Sequence, residues 1–191
     1  MLKSISVAVL SLVILASCQK EGQQQMRADE QTAATRSDAP PPRPPIRQTD
    51  ARVMIGSASA ARGQSGSFDV RYYGIEPLKA IVVPISYPHG MKIDSVSFAG
   101  SMIEYVATRP VRIDNDSLRA LISAIPMTEP LIPAGEGLLA TFHFTLSGDA
   151  ASGPIEEGFI PPANYLVYID SASTEAEPIF EPGQLTVESA P

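Results

Sequence analysis

The chain has 191 residues, enough for one ordinary domain with extensions, and its formal net charge is −7. Charged residues make up 18% and aromatic residues 6%, unlike the Glu-, Lys- and Leu-rich composition of long helical proteins. The acidic balance disfavours nucleic acid as a partner, because binding phosphates requires clustered Lys and Arg. With one cysteine the chain forms no internal disulfide, so its fold must rest on an apolar core.

The first seventeen residues have the three parts of a secretory signal peptide. Lys3 supplies a positive charge, residues 5–14 form an apolar run too short to span a membrane, and small and apolar residues precede Cys18. The sequence LASC at residues 15–18 resembles a bacterial lipobox. This resemblance implies that the Cys18 thiol is acylated and that residues 1–17 are removed. An ordinary secretory signal with an incidental cysteine is the alternative.

The same resemblance implies a location in the cell envelope. An aspartate after the lipidated cysteine would indicate retention at the inner membrane, whereas Gln19 stands there. We therefore expect an outer-membrane or cell-surface protein whose contact with the membrane is made by the N-terminal lipid. Acyl chains stabilise such an anchor by about 0.8 kcal/mol per buried methylene group.

Residues 18–50 predict a disordered tether. They include QQQ at residues 23–25 and APPPRPP at residues 39–45, with almost no large apolar side chains to repay the entropy of folding. The proline run predicts a stiff spacer of about 3.1 Å per residue. Residues 51–191 carry eight basic and sixteen acidic side chains, so the net negative charge belongs to the folded part and disfavours its contact with an anionic membrane.

The folded part has the two-residue periodicity of β-strands. Residues 67–72 alternate, residues 80–85 form a continuous apolar run typical of a deeply buried strand, and residues 165–170 and 184–187 are further candidates. The clearest strand is residues 138–146. Its predicted apolar face consists of Leu138, Ala140, Phe142, Phe144 and Leu146, and its polar face of Thr141, His143 and Thr145.

Turn-forming residues separate these strands at short intervals. They lie at residues 62–66, 88–90, 114–116, 133–135, 147–149 and 181–183. No amphipathic helix is evident, although residues 100–105 have room for one turn. About nine strands in this length predict an all-β fold for residues 51–191, a jelly-roll β-sandwich.

Several of these segments resemble cohesin domains. Residues 53–59 and 63–70 resemble the first two strands with their glycine turn, residues 95–100 a strand before a crossover, residues 135–144 (GEGLLATFHF) the penultimate strand, and residues 178–187 the closing strand. The resemblance implies a nine-stranded jelly roll, shared with several cellulose-binding modules. It also implies a non-enzymatic module that grips a calcium-loaded dockerin on another protein with one sheet face. That face has no fixed motif, so no binding residues are assigned.

Nothing in the pattern predicts a catalytic, cofactor or metal site. His89 and His143 are isolated and have no cysteine or acidic partner at ligand spacing. No Gly-x-Ser-x-Gly motif is present. The sequence DNDS at residues 114–117 predicts a hairpin turn rather than a calcium loop, because Leu118 and Arg119 follow where a further oxygen ligand and a glycine are needed.

The acidic pairs and the tyrosines leave alternatives open. Glu156 with Glu157, and Glu175 with Glu177, are interpreted as solvated loop charges and not as a glycosidase pair. A polysaccharide-binding module on the same fold would need an exposed aromatic platform, and a purely structural envelope spacer would need none. The candidates for such a platform are Tyr72, Tyr73, Tyr87, Tyr105, Tyr165 and Tyr168.

Overall fold

The structure is a computed structural model that describes residues 46–127, 130–162 and 164–189. The predicted signal peptide, the lipidation site Cys18 and the tether as far as residue 45 lie outside these described residues. The described part confirms the all-β prediction, since it consists of strands and turns without a helix. Within these ranges we find no helix with the length and apolarity needed to cross a bilayer.

The described residues form twelve strands. They are β1 (Arg47–Ile55), β2 (Ala58–Ala61), β3 (Ser65–Gly74), β4 (Leu78–Ser86), β5 (Met91–Ser97), β6 (Val111–Asp114), β7 (Arg119–Ala124), β8 (Gly135–Leu146), β9 (Gly153–Glu157), β10 (Val167–Asp170), β11 (Glu175–Glu181) and β12 (Gly183–Glu188).

The first strand begins earlier than the sequence predicted. We placed the start of the domain at residue 51, whereas β1 begins at Arg47 and pairs there with Ala176 of β11. Residues 47–50 therefore belong to the sheet and not to the tether. These four residues are all polar, so the hydrophobic alternation that predicts a strand is missing at this end of β1.

The strands form a sandwich of two layers. The sheet folds over itself, and its strands are hydrogen-bonded in the order β5-β8-β3-β1-β11-β10-β4-β7-β6. The first layer consists of β5, β8, β3 and β1, the second of β6, β7, β4 and β10, and β11 joins them. β9 lies beside the end of β4, and β12 and β2 follow it. The sheet is not closed, and the architecture is the predicted jelly-roll sandwich.

Two chain segments pass side by side from one sheet to the other. Each segment is broken where it crosses, which helps to explain why the structure has twelve strands whereas the sequence predicted about nine. β1 runs parallel to β11, and β2 runs parallel to β12, so the breaks at Gly56 and Pro182 lie side by side. A Cβ atom on Gly183 would lie 2.6 Å from the carbonyl oxygen of Gly56, so this close approach requires glycine. Each break divides what the sequence pattern treats as one strand.

The core fills the space between the two layers. Phe68 of β3 and Phe142 of β8 stack with ring centroids 5.1 Å apart. The second layer contributes Ile81, Val83 and Ile122 to the same buried cluster. Side chains from both layers therefore share one apolar core, as a sandwich without disulfides requires.

The alternation predicted for β8 is correct along most of the strand and wrong at its start. Ala140 and the apolar side chains after it are buried, whereas Leu138 is only half-buried and its neighbour Leu139 is fully buried. The register shifts here because Val70 pairs with Ala140 and Arg71 pairs with Leu138, which leaves Leu139 as the extra residue of a β-bulge. A bulge moves the following side chain to the other face.

Candidate functional site

The outer face of the second layer is apolar. Because Ile81, Val83 and Ile85 of β4 point into the core, the alternate residues of the strand point outward. Each outward side chain faces another across the sheet: Ala80 is opposite Ile169, Val82 is opposite Val167 and Ser123, and Pro84 is opposite Leu121. If this side of the layer faced only water, its outward side chains would be polar instead.

One end of this face opens into a groove of about 830 Å³. Ala80 and Ile169 contribute apolar lining from the sheet, and the segment after β7 contributes Ile125, Pro126, Met127 and Leu131. The Met127 side chain is 77% exposed. We call this hollow the docking groove.

Polar groups also line the docking groove. Lys79 Nζ donates a hydrogen bond of 2.8 Å to Ser173 Oγ, and both residues line the groove with Ser171 and Glu175. The lining of the groove is therefore partly apolar and also contains one cationic and one anionic group. Such an arrangement can hold an amphipathic surface in a defined orientation.

Met127 also borders a second hollow, of about 170 Å³. This hollow lies against the loop that contains Tyr105, whose hydroxyl donates a hydrogen bond of 2.6 Å to the carbonyl oxygen of Leu131. Partial burial raises the pKa of Tyr105. The bond ties the two loops beside Met127 together, and Met127 stands as a ridge between the two hollows.

The outer face of the first layer is polar. Thr141 Oγ1 donates to Asp69 Oδ1 at 2.7 Å, and Thr145 Oγ1 donates to Asp94 Oδ2 at 2.7 Å. Ser65 Oγ and Thr145 Oγ1 lie 3.1 Å apart. These side chains bind one another across the strands, so the two outer faces of the sandwich differ sharply in polarity.

The two histidines lie apart and outside the docking groove. His89 Nε2 lies 3.0 Å from Asp149 Oδ2, with both side chains exposed, and His143 is exposed on β8. Among the described residues no three His, Cys, Asp or Glu side chains converge as metal ligands would.

The DNDS segment forms the predicted hairpin turn between β6 and β7. Asp114 and Arg119 are paired across the two strands, and Leu118 has a positive φ of 55°. The backbone N–H of Ser117 donates to Asp114 Oδ1 at 3.1 Å, which lowers the pKa of that carboxyl. The Asp114 carboxylate therefore serves the turn itself, as that of an Asx turn does.

The acidic pairs lie in strands, so the prediction of loop charges was wrong. Glu156 and Glu157 belong to β9, and Glu175 and Glu177 belong to β11. Strand pairing was missed because the two glutamates of each pair stand next to each other or two residues apart and interrupt the apolar pattern. Glu175 also lines the docking groove, opposite its strand partner Ile169. The sequence alone gave no sign of this role.

The tyrosines do not form an aromatic platform among the described residues. Tyr72 and Tyr168 are buried and meet edge to face, with ring centroids 6.4 Å apart. Tyr87 is also buried, and burial raises its pKa. Tyr73 and Tyr105 are the exposed ones, and neither stacks on another described ring. Tyr165 packs against Phe159 at 4.8 Å.

Comparison with known proteins assigns the fold. No model of a protein family matches the chain, and no curated protein matches it. Among solved structures, a type I cohesin–dockerin complex from Clostridium thermocellum matches with a TM-score of 0.63, 12% identity, and coverage of 78% of this chain and 100% of that chain.

Two further structures agree with this match. The third ScaC cohesin of Acetivibrio cellulolyticus, solved with the ScaB dockerin, has a TM-score of 0.62 and 18% identity over 73% of this chain and 99% of that one. A non-cellulosomal cohesin of the archaeon Archaeoglobus fulgidus has a TM-score of 0.55 and 13% identity over 74% and 93%. The domain therefore has a cohesin-like fold, as the sequence resemblance predicted.

Proposed function

We propose that this protein is a non-enzymatic docking module that binds a dockerin-type partner protein through the docking groove. The observation that carries the proposal is the apolar lining of that groove with the exposed Met127, on an otherwise acidic domain. Two of the solved structures described above are complexes of a cohesin with a dockerin, which supports a protein partner for this fold. Fold alone does not define function, so the groove must be tested directly.

The chemistry of the groove suits a protein surface. Met127 is unbranched and polarizable, and such side chains adapt well to a partner. A concave apolar patch with polar groups at its border is typical of an interaction site. Lys79 and Glu175 line the same groove and would orient the partner more than they would strengthen its binding.

The test is calorimetric titration of the full chain, carrying Cys18→Ala for solubility, with calcium-loaded recombinant type I dockerins. Met127→Lys should weaken binding by about tenfold or more, because it places an unpaired charge in the apolar contact. His143→Lys adds the same charge to the polar outer face and should change the affinity by less than about twofold. Absence of binding to any dockerin, or equal loss in both variants, would contradict the proposal.

We also propose that the module is attached to the cell envelope by a lipid on Cys18, with residues 19–45 as a spacer. The lipobox resemblance and the Gln19 that follows support this location. Cys18→Ser should move the protein from the detergent phase to the aqueous phase in a phase-partition assay. Gln19→Asp keeps the acylation site, so it should remain in the detergent phase and shift toward the inner membrane. An aqueous wild-type protein would rule out the anchor.

A further inference from the structure

Three apolar side chains are buried outside the core on this side of the sandwich. Leu121 points outward from β7, yet it is 7% exposed and does not belong to the central buried cluster. Its cross-strand neighbour Pro84 is also buried. Ile160, in the connection between β9 and β10, is 2% exposed and is likewise buried outside the central cluster. Something outside the sandwich must therefore cover this part of the face.

The connection between β9 and β10 is far longer than the topology requires. Both strands are antiparallel to β4, with Glu157 opposite Ile85 and Val167 opposite Val82. An uninterrupted strand would need two residues between these pairs, whereas the chain has nine, residues 158–166. Gly158 lies at the first of these two places, since its N–H donates to Pro84 O at 3.0 Å.

Leu166 supplies the second residue that a continuous strand would need. It is fully buried in the core cluster and directly precedes Val167. Residues 159–165 are therefore an excursion from a strand that would otherwise be continuous. We call their described part, residues 159–162 and 164–165, the crossing loop.

The crossing loop lies over the outer face of the second layer. Arg112 on β6 donates from Nη1 to the carbonyl oxygen of Pro161 at 3.4 Å. Arg112 is opposite Leu121, which in turn is opposite Pro84. The loop thus leaves the edge of β4 and reaches a side chain two strands away. Leu121 and Pro84 lie between these two points on the sheet, and the loop contains the buried apolar side chain of Ile160.

The crossing loop also holds its own shape. Ile160 and Asn164 exchange backbone hydrogen bonds of 3.3 and 3.0 Å, and Asn164 Nδ2 adds a bond of 3.1 Å to Ile160 O. The rings of Phe159 and Tyr165 pack across the base of the loop with centroids 4.8 Å apart. A loop closed by its own contacts loses little further entropy when it lies on the sheet.

We propose that the crossing loop is a built-in cover of the docking face that determines which partners bind. The face continues from the covered row of Pro84 and Leu121 to the row of Ala80 and Ile169, which lines the docking groove. A partner that needs only the groove binds with the loop in place, whereas a partner that needs the whole sheet face must first displace it. This inference rests on the proposed docking function, and the displacement reduces the affinity of such a partner.

The first test uses a dye and no protein partner. Deletion of residues 159–165 joins Gly158 to Leu166 and leaves the core residues in place. It should increase the fluorescence of added 8-anilinonaphthalene-1-sulfonate at least twofold, because the row under the loop becomes exposed. Adding Leu121→Ser to the deletion should reverse the increase. Ile160→Ser should act like the deletion, whereas Ile179→Ser, on the exposed side of β11, is the matched control and should not.

The second test measures binding of the calcium-loaded type I dockerin of the Clostridium thermocellum complex, with circular dichroism as a check on folding. The deletion variant should bind it at least tenfold more tightly than the wild type. Binding that is unchanged or weaker after deletion would overturn the proposal while leaving the docking function intact. Dye fluorescence that does not rise, or that Leu121→Ser does not reverse, would also overturn it. If the dye fluorescence rises as expected but neither the wild type nor the deletion variant binds the dockerin, the crossing loop does cover the face and the proposed dockerin function is wrong.

Discussion

Asn115, in the turn between β6 and β7, holds the backbone of Ile93 in β5 with both ends of its side-chain amide. Asn115 Oδ1 accepts from Ile93 N at 2.9 Å, and Nδ2 donates to Ile93 O at 3.1 Å. β5 and β6 are the end strands of the two layers, and no ladder joins them in the described sheet. The amide thus takes the place of a strand partner and closes this side of the sandwich.

We predict that Asn115→Ala lowers the free energy of unfolding by about 2 kcal/mol or more. The substitution leaves the N–H and C=O of Ile93 without this partner, and it also removes the nearest of three acceptors of the Tyr87 hydroxyl, 2.9 Å away. Asn115→Asp keeps the acceptor and should cost less, and the exposed neighbour Asp116→Ala should be nearly neutral. Urea denaturation measures all three variants, and equal effects at the two positions would contradict the account.

The same bonds give a prediction about calcium. Because Asp114 Oδ1 and Asn115 Oδ1 already accept hydrogen bonds from Ser117 and Ile93, we expect a calcium chelator to leave the unfolding midpoint of the protein unchanged. Thermal unfolding with and without the chelator tests this. A drop in the midpoint that Asp114→Asn abolishes would show instead that the turn binds calcium, and the hairpin interpretation would be incomplete.

Asp149, which follows β8, gives a prediction about how the stability of the fold depends on pH. The hydroxyl of Ser147 donates to its carboxylate, and His89 adds a second contact, and together they lower its pKa from 3.8 to about 2. A lowered pKa in the folded state means that this carboxylate stabilises the fold above pH 3.8 and that the contribution is lost as the pH falls toward 2.

Carboxyl carbon NMR measures the titration of Asp149 directly. We expect a midpoint of about 2 in the wild type, and a rise toward 3.8 in Ser147→Ala that exceeds the rise in His89→Gln, because the serine bond is the larger cause. A wild-type midpoint near 3.8, or a larger effect of the histidine, would show that the serine contact is not the main cause.

Local patterns predicted the fold where strands are deeply buried. The apolar run of residues 80–85 lies within β4, and the alternation of residues 67–72 lies within β3. The run in β4 is apolar on both faces because one face meets the core and the other meets the docking groove and the crossing loop. A strand without polar alternation was therefore also a sign of the site, although the pattern did not show what covers its outer side.

Long-range pairing explains what the sequence could not predict. The parallel pairs β1–β11 and β2–β12 join the two ends of the domain, and no local signal encodes them. The docking groove likewise combines residues near 80, 126 and 170 from separate segments. The strand predicted over residues 165–170 begins only at Val167, because Tyr165 turns back to pack against Phe159. Such contacts exist only once the layers have assembled.

The paired crossings between the sheets give the last prediction. At Gly183, a Cβ atom would lie 2.6 Å from Gly56 O and 2.9 Å from Ile55 O, both backbone atoms that cannot move independently. Gly183→Ala should therefore lower the free energy of unfolding by about 1–3 kcal/mol, the usual cost of overpacking. The exposed Gly148 has nothing within 4 Å of its Cβ position, so Gly148→Ala is the matched control and should be nearly neutral.

Hydrogen exchange should locate the effect of Gly183→Ala. Because the added methyl group separates the crossing of β1 and β2 from that of β11 and β12, the amides of β2 and β12 should exchange faster, while those of β8, away from the crossing, keep their wild-type rates. Uniformly faster exchange would mean that the substitution promotes unfolding of the whole domain and not only of the strands at the crossing. Unchanged stability would show that the two segments can separate without cost.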